Sequence, residues 1–514
     1  MFIGLQLGQT GIRIPVLHAR QSDKLKEVVR YVEDNYVDTL SRETVNDKAI
    51  SGLLHNLDPH SVYISASEYH EYTDPLLGSF EGIGVRFQIE RDTVMVITPV
   101  SGGPSERIGI RAGDRIVKID GKNVAGIHIT NNEVMKKLKG EKGTKVSVSI
   151  FRRGVQGLLS FTITRDVIPT YSVDIAYMAD PVTGYIRLNN FSETTPDEIA
   201  KSLTDLRAAG MKKLILDLRG NGGGYLKAAI DLADELLPSG KLIVYTQGAH
   251  HPKEVSYSGS GGLFEQGDLA ILIDEYSASA SEIVAGAIQD NDRGLIIGRR
   301  SFGKGLVQEQ MNFGDGSAIR LTVARYYTPT GRCIQRSYKN GSDDDYTSYY
   351  HQLMTGEEEN PDSIKFPDSL KFKTPKGKIV YGGGGIMPDI YIPAEKDTAL
   401  AYYNLAINKG TVYQFALDFT DRNRKALSRF RTFRDFDRDF NLTEAQFNDF
   451  IAFATKQGIK RGTKNYTASD QRIRVMIKAY VGRNILDNDG FFPLLNRIDP
   501  TFLKAMAVLE KKDR

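Results

Sequence analysis

The segment from residue 183 to residue 298 constrains the fold more than any other part of this 514-residue chain. Short runs in which apolar residues dominate, at 213–219 and 269–274, alternate there with stretches of helical period. Such runs predict strands buried on both faces, and helices between them are typical of a parallel sheet. We therefore expect an α/β core. Its helices are predicted over about 195–209, 225–237 and 279–290.

The regions on either side of this core differ from it in hydrophobic period. From about residue 80 to 166, apolar and polar residues alternate, which predicts a small domain of strands with a helix at 131–138. Residues 337–378 are polar and predict a surface insertion. The chain thus divides into helical N-terminal residues 1–79, the small domain 80–166, the core 167–395 and helical C-terminal residues 396–514.

Composition argues against several kinds of partner and site. The net charge of +3 is small for this length, so nucleic acid is not an expected partner. Cys333 is the sole cysteine, which excludes an internal disulfide and a cysteine-based metal centre. The opening residues 1–8 lack the basic region and the long apolar region of an intact signal peptide, and are compatible with the remnant of a signal or anchor segment.

Ser279 is the candidate nucleophile. It lies between an apolar strand and a predicted helix, where backbone N–H groups and the helix dipole stabilise a developing anion. The amide of Ala280 could then donate to an oxyanion. The alternative is structural, because Ser279-Ala-Ser-Glu282 is also a capping box that begins a helix.

Lys304 is the nearest candidate base in the sequence, since no histidine occurs between residues 252 and 350. A lysine acts as a base only when neutral, so its pKa of about 10.4 must fall through burial or nearby positive charge. Flanking Gly303 and Gly305 would let the chain pack closely around the amine. Gln308 could orient that amine by a hydrogen bond. The alternatives are a solvated surface lysine in a hairpin turn and an ordinary strand residue at Gln308.

A glycine turn at 220–224 follows one apolar strand and precedes a helix, as phosphate-binding loops do. It lacks the Gly-Lys-Ser/Thr of a P-loop and the third glycine of the dinucleotide fingerprint, so a nucleotide is not expected. The backbone N–H groups of Gly222 or Gly223 could instead donate to an oxyanion. A turn required only for packing is the alternative.

A second glycine loop, Gly82-Ile83-Gly84-Val85, precedes the first strand of the alternating block. Beside a strand edge and the helix 131–138, the N–H groups of such a loop can hold the carboxylate of a peptide that adds as a strand. The alternative is an ordinary glycine hairpin.

Together these motifs resemble those of the carboxy-terminal processing peptidases, the serine peptidases of family S41 that combine a Ser/Lys dyad with an embedded PDZ domain. The order and spacing of Ser279, Lys304 and Gln308 match the family pattern. The resemblance covers about 22–335 and 382–390. Its most specific segments are 216–224 (LDLRGNGGG), 277–282 (SASASE) and 302–308 (FGKGLVQ).

The resemblance implies a fold and a set of roles. The fold is an α/β peptidase core of the ClpP/crotonase-like ββα spiral type, with an embedded PDZ domain and helical N- and C-terminal regions. Ser279 would be the nucleophile, Lys304 the general base and Gln308 the residue that orients Lys304. The backbone amides of Ala280 and of Gly222 or Gly223 would form the oxyanion hole. Residues 82–85 would form the peptide-binding loop of the PDZ domain.

The resemblance also implies how such a protein works. We expect an endopeptidase that binds protein substrates by their C-termini and is gated by its PDZ domain, without a metal or another cofactor. A homodimer or an adaptor protein is a candidate partner. We expect a periplasmic protein, or one that is held at the membrane facing the periplasm by a tether that is missing from this chain.

Two rival functions stay open from the sequence. A Ser-His hydrolase would use His250 or His251 and would keep its activity without Lys304. A non-catalytic PDZ scaffold would bind C-terminal peptides without reacting with an acylating probe. The intact set of Ser279, Lys304 and Gln308 argues against the scaffold, which needs none of them.

Overall fold

The computed structural model describes residues 23–338, 367–395, 398–461 and 467–511. The predictions for the first residues, and for most of the polar insertion, lie outside these ranges. The chain divides into two compact units. The smaller comprises Met1–Tyr69, Gln308–Thr322 and Tyr338–Tyr349, and the larger comprises His70–Val307, Val323–Ser337 and Tyr350–Arg514.

The smaller unit is helical at first, as predicted, but also contains strands. The helices Lys24–Asn35 and Arg42–His55 precede the short strand Val62–Ile64, which pairs antiparallel with residues 318–320. The strand Leu306–Asn312 pairs with the strand Ala318–Tyr327. The helical prediction for residues 1–79 therefore missed one strand, which is too short to show a period.

The larger unit begins within the helix Tyr69–Leu77 and continues into the alternating block. The strands Ser79–Gly82 and Asp166–Pro169 pair antiparallel where the chain enters and leaves this block. Between them, an antiparallel sheet surrounds a core that includes Val94, Ile116 and Val148. In spatial order its main strands are Val85–Ile89, Val94–Pro99, Arg115–Ile119, Lys145–Phe151 and Leu158–Thr164. A short strand, Lys122–Asn123, and the helices Pro104–Arg107 and Asn131–Leu138 complete the domain.

The core is a six-stranded sheet in which only the first pair of neighbours is antiparallel, which confirms the predicted parallel α/β arrangement. In spatial order its strands are Val173–Met178, Thr183–Leu188, Lys213–Asp217, Asp268–Ile273, Leu295–Gly298 and Ile390–Tyr391. The helices Thr195–Ala208, Leu226–Leu236 and Ala280–Asp290 cover one face, where Leu214 and Leu216 contribute to the core.

The C-terminal helices cover the opposite face of this sheet. Ile215 and Leu272 share a core there with Phe415, Phe436 and many other residues of these helices. None of the described helices is long and apolar enough to cross a membrane. The C-terminal helices are Ala401–Asn408, Thr411–Leu427, Phe433–Asp439, Glu444–Lys456, Thr467–Leu495 and Pro500–Lys511.

Two local features complete the larger unit. Thr194 occupies the N-cap position of the helix Thr195–Ala208, and the Thr195 hydroxyl accepts a hydrogen bond from the Ser192 amide. Within the predicted polar insertion, Lys371–Lys373 is a strand that pairs with Ile379–Tyr381. The strands Leu242–Gln247 and Glu254–Tyr257 pair antiparallel and form a hairpin.

Candidate active site

Ser279 lies at the turn between the strand Asp268–Ile273 and the helix Ala280–Asp290, as the sequence predicts. Its backbone has φ +56° and ψ −113°, which is a strained conformation for a residue with a side chain. Such strain persists only where the surroundings fix the backbone. The contacts of Ser279 therefore indicate what holds the candidate nucleophile in place.

The carboxylate of Glu282 is the first of these contacts. Its Oε2 accepts hydrogen bonds from the N–H groups of Ser279 and Lys304, each at 2.8 Å. Its Oε1 accepts from the Gly303 amide at 2.7 Å and from the Ser301 hydroxyl at 2.5 Å. Burial raises the pKa of this fully buried carboxyl to about 7, even though the four hydrogen bonds act to lower it. One side chain thus joins the backbones of both candidate catalytic residues.

Tyr326 makes a second connection between the same two residues. Its hydroxyl donates to the carbonyl of Lys304 and lies 3.2 Å from the carbonyl oxygen of Ser279. The ring is buried, and burial raises the pKa of Tyr326 well above its ordinary value. The hydroxyl therefore keeps its proton and remains a donor at neutral pH.

The glycines around Lys304 allow the backbone to pass close to its neighbours, whereas the packing around the amine itself stays a prediction. A Cβ atom on Gly303 would lie 3.0 Å from the Gly385 nitrogen, and one on Gly305 would lie 2.8 Å from the Gln335 nitrogen. Gly303 also has φ +96°, which favours glycine. Lys304 itself is partly exposed.

Asn221, which is fully buried, joins the glycine turn to the nucleophile turn. Its carbonyl accepts hydrogen bonds from the Ala278 amide at 3.0 Å and from the Ser281 hydroxyl at 2.9 Å. Its side chain donates to the Leu188 carbonyl at 3.0 Å and accepts from the Gly223 amide at 2.9 Å. The two turns therefore cannot move apart without breaking several buried hydrogen bonds.

Of the two glycines predicted to supply an oxyanion donor, Gly223 packs against Ser279. A Cβ atom on Gly223 would lie 2.8 Å from the Ser279 Cβ and 3.0 Å from the Ala280 nitrogen. The Gly223 amide, however, donates to Asn221 in this structure, because an asparagine side chain readily accepts from the amide two residues on. An added Cβ on Gly222 would meet nothing within 4 Å, so this glycine faces open space.

A buried ionic cluster fixes the strand that leads into the glycine turn. Asp217 pairs with Arg219 at 2.6 Å and Arg187 at 3.0 Å, and accepts from the Tyr185 hydroxyl at 2.8 Å. Burial opposes ionisation of Asp217, but the two arginines and the tyrosine outweigh it and lower the pKa of this carboxyl to about 2. Asp217 is therefore an anion at neutral pH.

Gln308 belongs to the smaller unit, on the strand Leu306–Asn312. Its side chain donates to the Thr322 hydroxyl at 3.3 Å, and that hydroxyl donates to Asp58 at 3.0 Å. These contacts fit a strand residue of that unit. The role of orienting Lys304 stays a prediction.

His250 and His251, the bases of the rival mechanism, lie between the strands Leu242–Gln247 and Glu254–Tyr257. The His251 carbonyl accepts from the Gly248 amide at 3.0 Å and so closes the turn. Cleavage by a Lys304→Ala variant would distinguish this Ser-His alternative from a lysine base.

The predicted peptide-binding loop, 82–85, borders an apolar groove of the small domain. The strand Val85–Ile89, which follows the loop, is at the edge of its sheet. Between this strand and the helix Asn131–Leu138 lies a cavity of about 330 Å³. Its apolar lining includes Phe80, Ile83, Val85, Phe87, Met135 and Leu138. A sheet edge beside an apolar groove is an arrangement to which an extended peptide can add.

Family models match three segments of the chain. Residues 182–348 match peptidase family S41, and residues 82–163 match the PDZ domain. Residues 402–487 match a family of unknown function and fall in the C-terminal helices. The first two matches agree with the predicted peptidase core and PDZ domain.

Curated relatives and a solved structure are also similar. The carboxy-terminal-processing protease of Bartonella bacilliformis is 37% identical over 321 residues, which is 62% of this chain and 73% of that protein. The carboxy-terminal processing protease CtpA of Bacillus subtilis is 34% identical over 61% of this chain and 66% of that protein. A solved photosystem II D1 C-terminal processing protease is 31% identical, with a TM-score of 0.36 over 60% of this chain and 89% of that chain.

Sequence reasoning missed three residues of the site. Glu282 was expected only to cap a helix, and neither Asn221 nor Tyr326 was singled out. The capping box could have directed attention to Glu282, and its bond to the Ser279 amide is the backbone half of that box. Its bonds to residues 301–304 have no local signal in the sequence.

Proposed function

This chain belongs to the carboxy-terminal processing proteases of peptidase family S41, and we propose that its reaction uses Ser279 and Lys304. It is a serine-type peptidase. The substrates that we propose are proteins bound by their C-termini, and the PDZ domain gates the reaction.

In the proposed mechanism, neutral Lys304 takes the proton of the Ser279 hydroxyl as its oxygen attacks a peptide carbonyl carbon. The tetrahedral intermediate collapses, the peptide C–N bond breaks, and the leaving amine receives the proton from Lys304. Water then attacks the acyl-enzyme and gives a proton to Lys304. The Ser279 oxygen leaves as the hydroxyl, and the cleaved substrate carries a new carboxyl group.

The observation that carries this proposal is the shared acceptor of the two backbones. The amides of Ser279 and Lys304 both bond to Oε2 of Glu282, and both carbonyls contact the Tyr326 hydroxyl. A serine and a lysine with no joint task would not need their backbones fixed to one buried side chain. Positioning of this kind supplies a large part of enzymatic rate enhancement.

Backbone amides would hold the oxyanion. Ala280 and Gly222 are the donors that we favour, since the Gly223 amide bonds to Asn221 at rest. If Gly223 contributes, it must first give up that bond. The active arrangement would then differ from the resting one by a local change in the glycine turn.

PDZ gating is supported by a short run of chain between the peptide groove and this turn. Asn189 and Asn190 line the groove. The next residue, Phe191, donates its amide to the Gly223 carbonyl at 3.0 Å and accepts from the Tyr225 amide at 2.8 Å. A peptide that contacts the two asparagines therefore binds next to a residue that is hydrogen-bonded to the glycine turn.

Gln308 would orient Lys304 in the active state.

The test of C-terminal recognition compares two substrates of one sequence, with a free carboxylate or an amide at the C-terminus. We expect kcat/KM to be at least about tenfold higher for the carboxylate. The control is a variant without activity, Ser279→Ala, which must cut neither. Equal cleavage of both substrates would contradict recognition by the C-terminus.

A further inference from the structure

The PDZ groove carries an ion pair as well as its apolar lining. Lys139 follows the helix Asn131–Leu138, and Asp74 comes from the helix Tyr69–Leu77, outside the PDZ domain. Lys139 Nζ lies 2.9 Å from Asp74 Oδ2, and both residues line the 330 Å³ cavity. A carboxylate that does not belong to the PDZ domain therefore reaches into its groove.

This pair is more enclosed than an ordinary surface ion pair. The side chain of Asp74 is 11% exposed and that of Lys139 is 33% exposed. The Lys139 ammonium also lies 4.9 Å from the centre of the Phe80 ring, and Asp74 Oδ1 lies 3.3 Å from His70 Nδ1. A partly desolvated ammonium needs an anion beside it, since leaving it unpaired is costly.

The position of Lys139 relative to the loop suits a carboxylate ligand. A Cβ atom on Gly82 would lie 3.5 Å from the Lys139 Cα, so the lysine is next to the first residue of the loop. An α-carboxylate is the one group that distinguishes a chain end from an internal segment. A lysine beside the loop can recognise it by charge as well as by hydrogen bonding.

We propose that Lys139 binds the α-carboxylate of the substrate's C-terminus and that Asp74 occupies this position until the substrate displaces it. The inference rests on the proposed C-terminal recognition and names the residue responsible for it. One carboxylate replaces another, so Lys139 stays paired throughout. Asp74 thereby lowers the affinity for every ligand and most severely for ligands that bring no carboxylate of their own to Lys139.

The test measures binding of a fluorescent six-residue peptide that ends in valine, with a free carboxylate or an amide, by anisotropy. The host is the full chain with Ser279→Ala, which prevents cleavage. Added to it are Lys139→Gln, Asp74→Asn and both together. Lys136→Gln and Glu71→Gln are matched controls, because they remove the same charges from exposed positions on the same two helices. Circular dichroism and the Tm check that each variant folds, and Lys139→Arg retains the charge.

We expect Lys139→Gln to raise the Kd of the carboxylate peptide about tenfold. It should lower the Kd of the amide peptide, because that peptide leaves Lys139 of the parent without an anion. Asp74→Asn should lower the Kd of the carboxylate peptide several-fold. Adding Asp74→Asn to Lys139→Gln should bring no such gain, because the two residues act through one pair. Lys139→Arg should bind nearly as the parent does.

Two results would overturn the inference, and only the second would also overturn the proposed recognition of the C-terminus. If every variant prefers the carboxylate peptide as strongly as the parent, the assignment of Lys139 is wrong and C-terminal recognition stands. If the parent itself does not distinguish the two peptides, the inference and the proposed recognition fail together.

Discussion

The backbone amides of Ser279 and Lys304 donate to a single oxygen atom, Oε2 of Glu282, each at 2.8 Å. The carbonyls of the same two residues meet the hydroxyl of Tyr326. Both bridging side chains are buried. The candidate nucleophile and the candidate base, which are 25 residues apart in the sequence, are thereby connected by two side chains that take no part in the proposed bond changes.

Replacing Glu282 with glutamine tests this bridge. A glutamine replaces one carboxylate oxygen, which accepts two hydrogen bonds, with an NH2 group, which can only donate. Two of the four hydrogen bonds to this side chain are therefore lost. We expect kcat to fall on the order of 100-fold, as for a small displacement of reacting groups. Glu254→Gln, on an exposed strand, is the matched control. The kcat of both variants is measured in a peptidase assay at equal folded fraction. A Glu282→Gln variant that kept more than about half of the wild-type kcat would contradict the role of this bridge.

The same carboxyl predicts a pH dependence of stability. Its folded-state pKa is about 7 and its ordinary value is 4.5, so the folded protein binds the proton more tightly than the unfolded chain. Its contribution to the free energy of unfolding is therefore complete below pH 4.5 and is lost as the pH rises through 7. Calorimetry at pH 5 and pH 8 should show that wild type loses more Tm on going to pH 8 than Glu282→Gln does. An equal loss in both proteins would show that Glu282 does not titrate in this range.

Gly223→Ala tests the contact between the glycine turn and the nucleophile. The added Cβ would lie 2.8 Å from the Ser279 Cβ, and φ at this position is +102°. We expect activity to fall at least about tenfold, because the turn or Ser279 must shift. Gly240→Ala is the control, since Gly240 also has positive φ but an added Cβ there would meet nothing within 4 Å. If both variants lose activity equally, backbone strain rather than the contact is responsible.

Asp217→Asn tests the buried cluster below the glycine turn. It removes the buried anion that Arg219 and Arg187 share, while Arg219 keeps Asp499 at 2.7 Å and Arg187 keeps Asp174 at 3.6 Å. We therefore expect a loss of about 1–3 kcal/mol in the free energy of unfolding at neutral pH. Asp231→Asn, which breaks an exposed pair with Lys227, should cost less than about 1 kcal/mol. Urea denaturation measures both losses, and similar losses in the two variants would contradict the stabilising role of Asp217.

The same carboxyl predicts a loss of stability in acid. Because the pKa of Asp217 is lowered to about 2, its contribution to the free energy of unfolding is present above pH 3.8 and is lost as the pH falls through 2.

Local signals predicted much of the fold. The apolar runs around Ile215 and Ile271 predicted parallel strands because a strand buried on both faces needs no polar alternation. The predicted helix at 131–138 is present, and Thr130 and Glu133 form a capping box at its start. The strand Val62–Ile64 escaped because three residues carry no usable period.

The site was predictable only where a residue type implies a chemistry. Ser279, Lys304 and the glycine turn were found in this way, whereas Glu282 and Asn221 act through contacts between segments far apart in the sequence. A carboxylate in a capping box gives no sign that it also binds three groups at 301–304. Location, oligomeric state and the role of Gln308 stay predictions.

The most direct test of the central claim is cleavage of an unfolded protein with an apolar C-terminal tail by wild type, Ser279→Ala and Lys304→Ala. The account predicts that wild type cuts and that both variants are inactive while they retain the wild-type circular dichroism spectrum. Activity that survives in Lys304→Ala would contradict the lysine base and favour His250 or His251.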